Sequence, residues 1–203
     1  MILVRHARTP TTGVILPGRA PGLHMADEGR REAETLAGAI AGLRRVAAVY
    51  SSPLLRARET AAPIARARQL AVRVDPGLIE CDFGEWTGAK LADLRRHAEW
   101  KSVQRYPSGF RFPGGESFTE MQARITSALG RLVARHPGEV LVAVSHADPI
   151  KAAVAHALGI HLDLFQRIVI SPASVTAIAY RAAGPAVLTM NARGDDLPGL
   201  STP

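Results

Sequence analysis

Two histidines stand directly after short apolar runs, and that placement gives them chemical interest. Arg5-His6 follows Ile2-Leu3-Val4, and Ser145-His146 follows Val140 to Val144. Buried parallel strands read this way, and ligands of α/β sheets sit beyond the carboxyl ends of the strands. An imidazole there can serve as nucleophile, proton carrier or anion ligand. The dipeptide itself is not informative, because Arg96-His97 and Arg135-His136 repeat it. Those two pairs fall in or at the ends of predicted helices and read as solvated surface. Only Arg5-His6 closes an apolar strand and enters a Thr/Gly/Pro loop.

Two further segments carry reactive side chains. Ser51-Ser52-Pro53-Leu54-Leu55-Arg56-Ala57-Arg58-Glu59-Thr60 follows a strand and opens a helix. A helix amino terminus offers free N–H groups to an anion, and Arg56 adds a planar fork that suits phosphate oxygens. In Leu78-Ile79-Glu80-Cys81-Asp82-Phe83-Gly84-Glu85-Trp86 a carboxylate lies among apolar and aromatic residues. Such surroundings raise a carboxyl pKa. Cys81 reads as a small buried residue.

The elements that must position these groups follow from periodicity. Ile2–Arg5, Val46–Ser51, Val72–Val74, Val140–Val144, Ser174–Tyr180 and Val187–Met190 read as strands. Asp27–Leu43, Pro53–Arg68, Leu91–Lys101, about 118–135 and Pro149–Leu158 read as helices. Pro63 is expected to bend or delay the second helix. Ser117-Phe118-Thr119-Glu120 is a capping-box pattern. Alternating strands and helices predict an α/β fold, a three-layer αβα sandwich with an open, mostly parallel central sheet. One domain is expected over 1–191, with 83–118 as a lid or substrate-selecting insertion and 192–203 as a loose tail.

Composition removes several classes. One cysteine in 203 residues rules out a disulfide scaffold or a thiolate zinc cluster. No apolar run approaches membrane-spanning length, and no leader pattern precedes the first strand, so a cytoplasmic protein is expected. The net charge of +7 invites a nucleic-acid partner. The arginines are scattered at helical spacing, however, and no stacking aromatics interleave with a basic stripe. Seven of the ten aromatic residues fall between Phe83 and Phe118, which marks that region for substrate contacts. Lys101 and Arg105 within it, and Arg19 in the loop after the first histidine, are the candidate partners for a substrate anion. His156 and His161 lack a third ligand, so no metal or other cofactor is expected.

In their order along the chain, these segments resemble the histidine phosphatase superfamily, in its phosphoglycerate-mutase-like branch. Four blocks carry the resemblance. They are Leu3-Val4-Arg5-His6-Ala7-Arg8-Thr9, the run Ser52 to Thr60, Leu78-Ile79-Glu80 with Gly84 and Gly88, and Val144-Ser145-His146-Ala147. Pro113-Gly114-Gly115-Glu116-Ser117 matches a further common segment. The chain departs from the pattern at Ala7 and Ala147, where glycine is usual, and at Thr12, where many members have asparagine.

The resemblance implies phosphoryl transfer through a phosphohistidine, with His6 as nucleophile and Glu80 as general acid and base. Asp82 and Glu85 are the competing carboxylates. Arg5, Arg56 and His146 would surround the phosphoryl group, joined by the Thr9 hydroxyl and the Ala147 backbone N–H. The implied activity is a metal-independent phosphatase for a small phosphate monoester. A phosphomutase using the same residues is one alternative, and a non-catalytic module that binds phosphorylated ligands is another. The expected partner is a small phosphorylated substrate rather than a nucleic acid or a membrane, with a homodimer kept open as the assembly.

Overall fold

The computed structural model describes residues 1–43 and 45–193. Six strands form one sheet: β1 (Ile2–Arg5), β2 (Val46–Ser51), β3 (Val72–Val74), β4 (Val140–Ser145), β5 (Val175–Arg181) and β6 (Gly184–Ala192). Their spatial order is β3-β2-β4-β1-β5-β6. The β2–β3, β2–β4 and β1–β4 pairs are parallel, whereas β5 runs antiparallel to both β1 and β6. The two strands bearing the histidines are therefore central neighbours, with Arg5 opposite Ser145.

Strand composition explains the layers. In β1 and β4 every residue is apolar up to the last position, so both faces need cover. Ile2, Val4, Val142 and Val144 pack with Leu36, Ile40, Ala57 and Ile64 from α1 (Asp27–Ala41) and α2 (Leu55–Ala67). Leu3, Leu141 and Ala143 pack with Ile125, Leu129 and Ile150 from α5 (Phe118–Arg135) and α6 (Ala147–Ala157). The capping box at Ser117 and Glu120 forms as its pattern predicts. Such a cap contributes about 1 kcal/mol. Pro63 is buried inside α2, which continues past it to Ala67.

Several boundaries need correction. The predicted helix Leu91–Lys101 is two pieces, α3 (Leu91–Leu94) and α4 (Trp100–Arg105). Residues Arg95 to Glu99 between them are all exposed, so they have no apolar face to hold a continuous helix. The last strand spans Gly184–Ala192 rather than Val187–Met190, because hairpin pairing with β5 orders residues of weak strand pattern. Ala192 is in that strand and buried, so the expected tail cannot begin there. Residues 194–203 of that tail lie outside the described residues. Finally, α6 starts at Ala147, two residues before Pro149, which sits in the first turn where its missing N–H costs nothing.

Candidate active site

The chain leaves β1 with its backbone held on both sides. His6 N–H donates to Ser145 O at 2.9 Å, and Ala173 N–H donates to Arg5 O at 3.1 Å. The His6 ring is almost fully buried, and its Nδ1 lies 2.8 Å from Ala7 O. A carbonyl only accepts, so Nδ1 carries the proton and Nε2 keeps its lone pair. Arg56 Nε donates to that Nε2 at a long 3.3 Å. Burial first, then the Arg56 and Arg5 charges, push the His6 pKa well below 6.5, against the opposing pull of the Ala7 carbonyl. The ring is thus neutral at pH 7, as a nucleophile must be.

Three cationic or protonic donors surround it. Arg56, on the first turn of α2, is fully buried and donates from Nη2 to Gly18 O at 2.7 Å. Arg5 Nη1 donates to Ile170 O at 2.6 Å, while its Nε is buried without a partner among the described residues. His146 is fully buried, 5.1 Å from His6 between ring centroids. Its Nε2 is 2.7 Å from Ser52 Oγ, and that oxygen also accepts from Leu54 N–H at 3.3 Å. The Ser52 hydroxyl has no other acceptor among the described residues, so it donates to Nε2, and the His146 proton then sits on Nδ1, a buried atom with no partner among those residues. Two unpartnered donors beside a neutral imidazole form a ready-made anion site.

Glu80 completes the set. Its carboxylate accepts from Cys81 N–H at 2.9 Å. Burial first, and the Asp148 charge second, raise its pKa to about 7, against the lowering effects of Arg56, the Cys81 N–H and Arg5. A carboxyl poised there can give a proton and take one back at neutral pH. Arg5, His6, Thr9, Glu80, Ala147 and Asp148 line one cavity of about 200 Å³, whereas the fully buried Arg56 and His146 adjoin His6 without lining it. That is below the roughly 300–1,000 Å³ typical of drug-sized ligands. Ala147 opens α6, so its N–H has no intrahelical acceptor. The Thr9 hydroxyl lies 3.1 Å from that of Thr12 and 3.2 Å from that of Thr11.

Several expected residues have other surroundings. Arg19 does not line the cavity. Its Nε donates to Glu80 O at 2.9 Å, Nη1 to Asp82 at 3.3 Å and Nη2 to Glu116 at 3.0 Å. Those contacts tie it to the segment that carries Glu80. Lys101 and Arg105 are exposed on α4 and do not line the cavity either. Among the clustered aromatics only Phe83 reaches it. Trp86, Phe110 and Phe112 are buried against one another and Phe118, because apolar rings in a loop-rich segment gain more from mutual burial than from a polar pocket. Ala7 and Ala147 cause no strain, since neither has a positive φ.

Sequence reasoning assigned no role to four supporting residues. Ser52 sets the His146 tautomer. Thr60 accepts from Ala7 N–H at 3.0 Å and donates to Arg56 O at 2.7 Å, tying the His6 loop to α2. Arg124 on α5 donates to Ile79 O at 2.7 Å, Glu80 O at 3.2 Å and both Glu116 oxygens at 2.8 Å. Asp148 faces Glu80 electrically, and its place beside His146 was the available signal. Cys81 is buried and its thiol pKa is pushed up, which keeps it a thiol.

The family model described as histidine phosphatase superfamily (branch 1) matches residues 1–193. The chain belongs to that superfamily. Phosphoserine phosphatase 1 of Hydrogenobacter thermophilus is 30% identical over 204 residues, covering 94% of this chain and 91% of that one. The bifunctional protein Rv2228c of Mycobacterium tuberculosis is 34% identical over 191 residues, covering 91% of this chain and 51% of the relative. The chain thus spans about half the length of that mycobacterial protein. Mycobacterial glucosyl-3-phosphoglycerate phosphatase superposes with a TM-score of 0.84 at 25% identity, covering 95% of this chain and 98% of its own. Phosphoserine phosphatase of Entamoeba histolytica, solved with phosphoserine, gives 0.85 at 25% identity, covering 94% and 95%. The two superposed structures share the architecture described above.

Proposed function

We propose that this histidine phosphatase hydrolyses a small phosphate monoester through a phosphohistidine on His6. The observation that carries the reading is the state of that ring. Its Nδ1 is tied to the Ala7 carbonyl, and its Nε2 faces Arg56, inside a cluster of buried donors. Relatives named as phosphatases support the same reading.

In the first step the His6 Nε2 lone pair attacks phosphorus and the ester P–O bond breaks. Arg5, Arg56, the His146 Nδ1–H and the Ala147 N–H stabilise the charge on the three equatorial oxygens. Glu80 gives its proton to the leaving oxygen, so the alcohol departs neutral. In the second step water attacks the same phosphorus and the P–N bond breaks. Glu80, now a carboxylate, takes the proton of that water, and His6 returns to its neutral form. The charge stabilisation and both proton transfers are thus met by side chains and backbone groups.

The test is a panel of phosphate esters, with His6→Ala as the control and acid-labile phosphate on the protein as a second readout. Phosphate release that requires His6, with label trapped on the protein, is the expected result. Release absent with every ester, and no trapped label, would overturn the proposal. Transfer of phosphate within the substrate without release would instead identify a phosphomutase.

A further inference from the structure

Besides the groups already named, the cavity that holds His6 is lined by Ile15, Leu16, Pro17, Phe83 and Leu91, side chains with nothing to offer a second anion, and by Thr12, whose hydroxyl is engaged with Thr9. The additional charged group there, Asp148, is itself an anion. Its Oδ1 accepts from Lys151 Nζ at 3.3 Å, and Lys151 also donates to Gln166 at 3.0 Å and lies over the Phe165 ring. Lys151 does not line the cavity, so it steadies the carboxylate from outside. Asp148 Oδ2 has no hydrogen-bond partner among the described residues.

From this arrangement we infer that the pocket selects monoesters whose alcohol portion offers a hydrogen-bond donor and carries no second anion, with Asp148 as the specificity-determining group. The inference rests on the phosphatase reading for the position of the phosphoryl group. A carboxylate or second phosphate on the alcohol would lose its water against the apolar wall and meet a like charge. A hydroxyl or ammonium would find an acceptor at Oδ2. The cations that sequence offered for a second anion do not relieve this. Arg19 is held by Glu80 O, Asp82 and Glu116, and Lys101 and Arg105 are exposed away from the cavity. Selectivity built from a repulsive element and an attractive one is the usual route to discrimination. It would separate this chain from the Entamoeba histolytica phosphoserine phosphatase, whose solved complexes hold phosphoserine and 3-phosphoglyceric acid.

Two matched ester pairs test it. O-phosphoethanolamine and O-phosphoserine differ by a carboxylate, as do glycerol 3-phosphate and 3-phosphoglycerate. Wild-type kcat/KM is expected to favour the first member of each pair by about tenfold, and Asp148→Asn is expected to shrink both ratios to about threefold or less. A ratio within one variant cancels any change that the variant makes to Glu80. The dissociation constants of the four esters with His6→Ala, measured by calorimetry, should show the same order. Carboxylated esters bound or hydrolysed as well as their partners, or ratios unchanged in Asp148→Asn, would overturn the inference. If no ester turned over but the affinity order held, hydrolysis would fall and the selectivity would stand. Phosphate release without discrimination would do the opposite, leaving hydrolysis in place and removing the selectivity.

Discussion

The carboxyl ends of the central strands hold His6 and His146, and the region near the amino end of β4 holds His136. Both regions combine imidazole with arginine beside a cavity, of about 200 Å³ at the first and about 290 Å³ at the second. Their hydrogen-bond accounts differ. His136 has both ring nitrogens engaged, with Glu139 at 2.6 Å and the Tyr50 hydroxyl at 3.0 Å, and Arg73 donates to that same hydroxyl. At the other end, His146 Nδ1 and Arg5 Nε are buried and unpartnered, and His6 Nε2 meets only the long Arg56 contact. The difference lies in satisfaction rather than residue type. A closed network holds structure, while an open one waits for a ligand to complete it.

Substitutions at the two regions should separate them by orders of magnitude. His6→Ala is expected to lower kcat by roughly 10⁴-fold or more, the range seen when a nucleophile is removed. Steady-state assay with trapping of phosphoenzyme checks this, and substantial residual turnover would place the nucleophile elsewhere. Next in size is Glu80→Gln, with kcat reduced about 10²- to 10⁴-fold, as for loss of a general acid. In the wild type, kcat/KM should decline as pH rises through about 7, where Glu80 loses its proton. That limb should vanish from the residual activity of the variant. A limb that persists unchanged would assign it to another group.

Smaller effects sharpen the contrast. Ser52→Ala removes the donor that fixes the His146 tautomer, an expected loss of about tenfold in kcat/KM, equal to one hydrogen bond of about 1.5 kcal/mol. Protein stability should carry the mark of Glu80 too. Its folded pKa stands above the ordinary value of 4.5, so its contribution is complete below that pH and lost as pH rises through about 7. Glu80→Gln should therefore gain on the order of 1–3 kcal/mol over wild type at pH 8 and little at pH 4.5, as read by denaturant titration. Equal stabilities at pH 8 would contradict the burial argument. Last, His136→Ala should leave kcat/KM within about twofold and lower Tm by about 2–6 °C. A large loss of activity would dissolve the distinction between the two regions.

The His6 and His146 side of this contrast is legible in the sequence, for a physical reason; the other side is not, since His136 reads as solvated surface yet is mostly buried with both ring nitrogens engaged. Apolar runs that end in Arg5-His6 and Ser145-His146 encode both a doubly covered strand and the group at its tip, so the fold and the main site candidates share one signal. The supporting contacts are not encoded that way. Thr60, Arg124 and Glu116 reach the site across separations of 53, 44 and 34 residues. Nothing local distinguishes Arg124 from other helix-surface arginines. The contacts of Arg19 are hidden for the same reason, since its partners Asp82 and Glu116 are remote in sequence. Clustering of aromatics along the chain signals mutual burial as readily as ligand contact: Phe83 lines the cavity, whereas Phe112 and Phe118 stack edge to face.

The acceptor for Arg5 has a consequence for synthesis. Ile170 O receives its guanidinium, and Ala173 and Ser174 hold its backbone. All three lie after His6, Glu80 and His146 in the chain. During translation every reactive side chain emerges before the segment that sets Arg5 at the correct angle. A nascent chain halted short of residue 170 would carry His6, Glu80 and His146 with Arg5 still lacking its Ile170 acceptor. On the mechanism proposed above, the site is therefore complete only after residues 170–174 have been made and folded back onto Arg5.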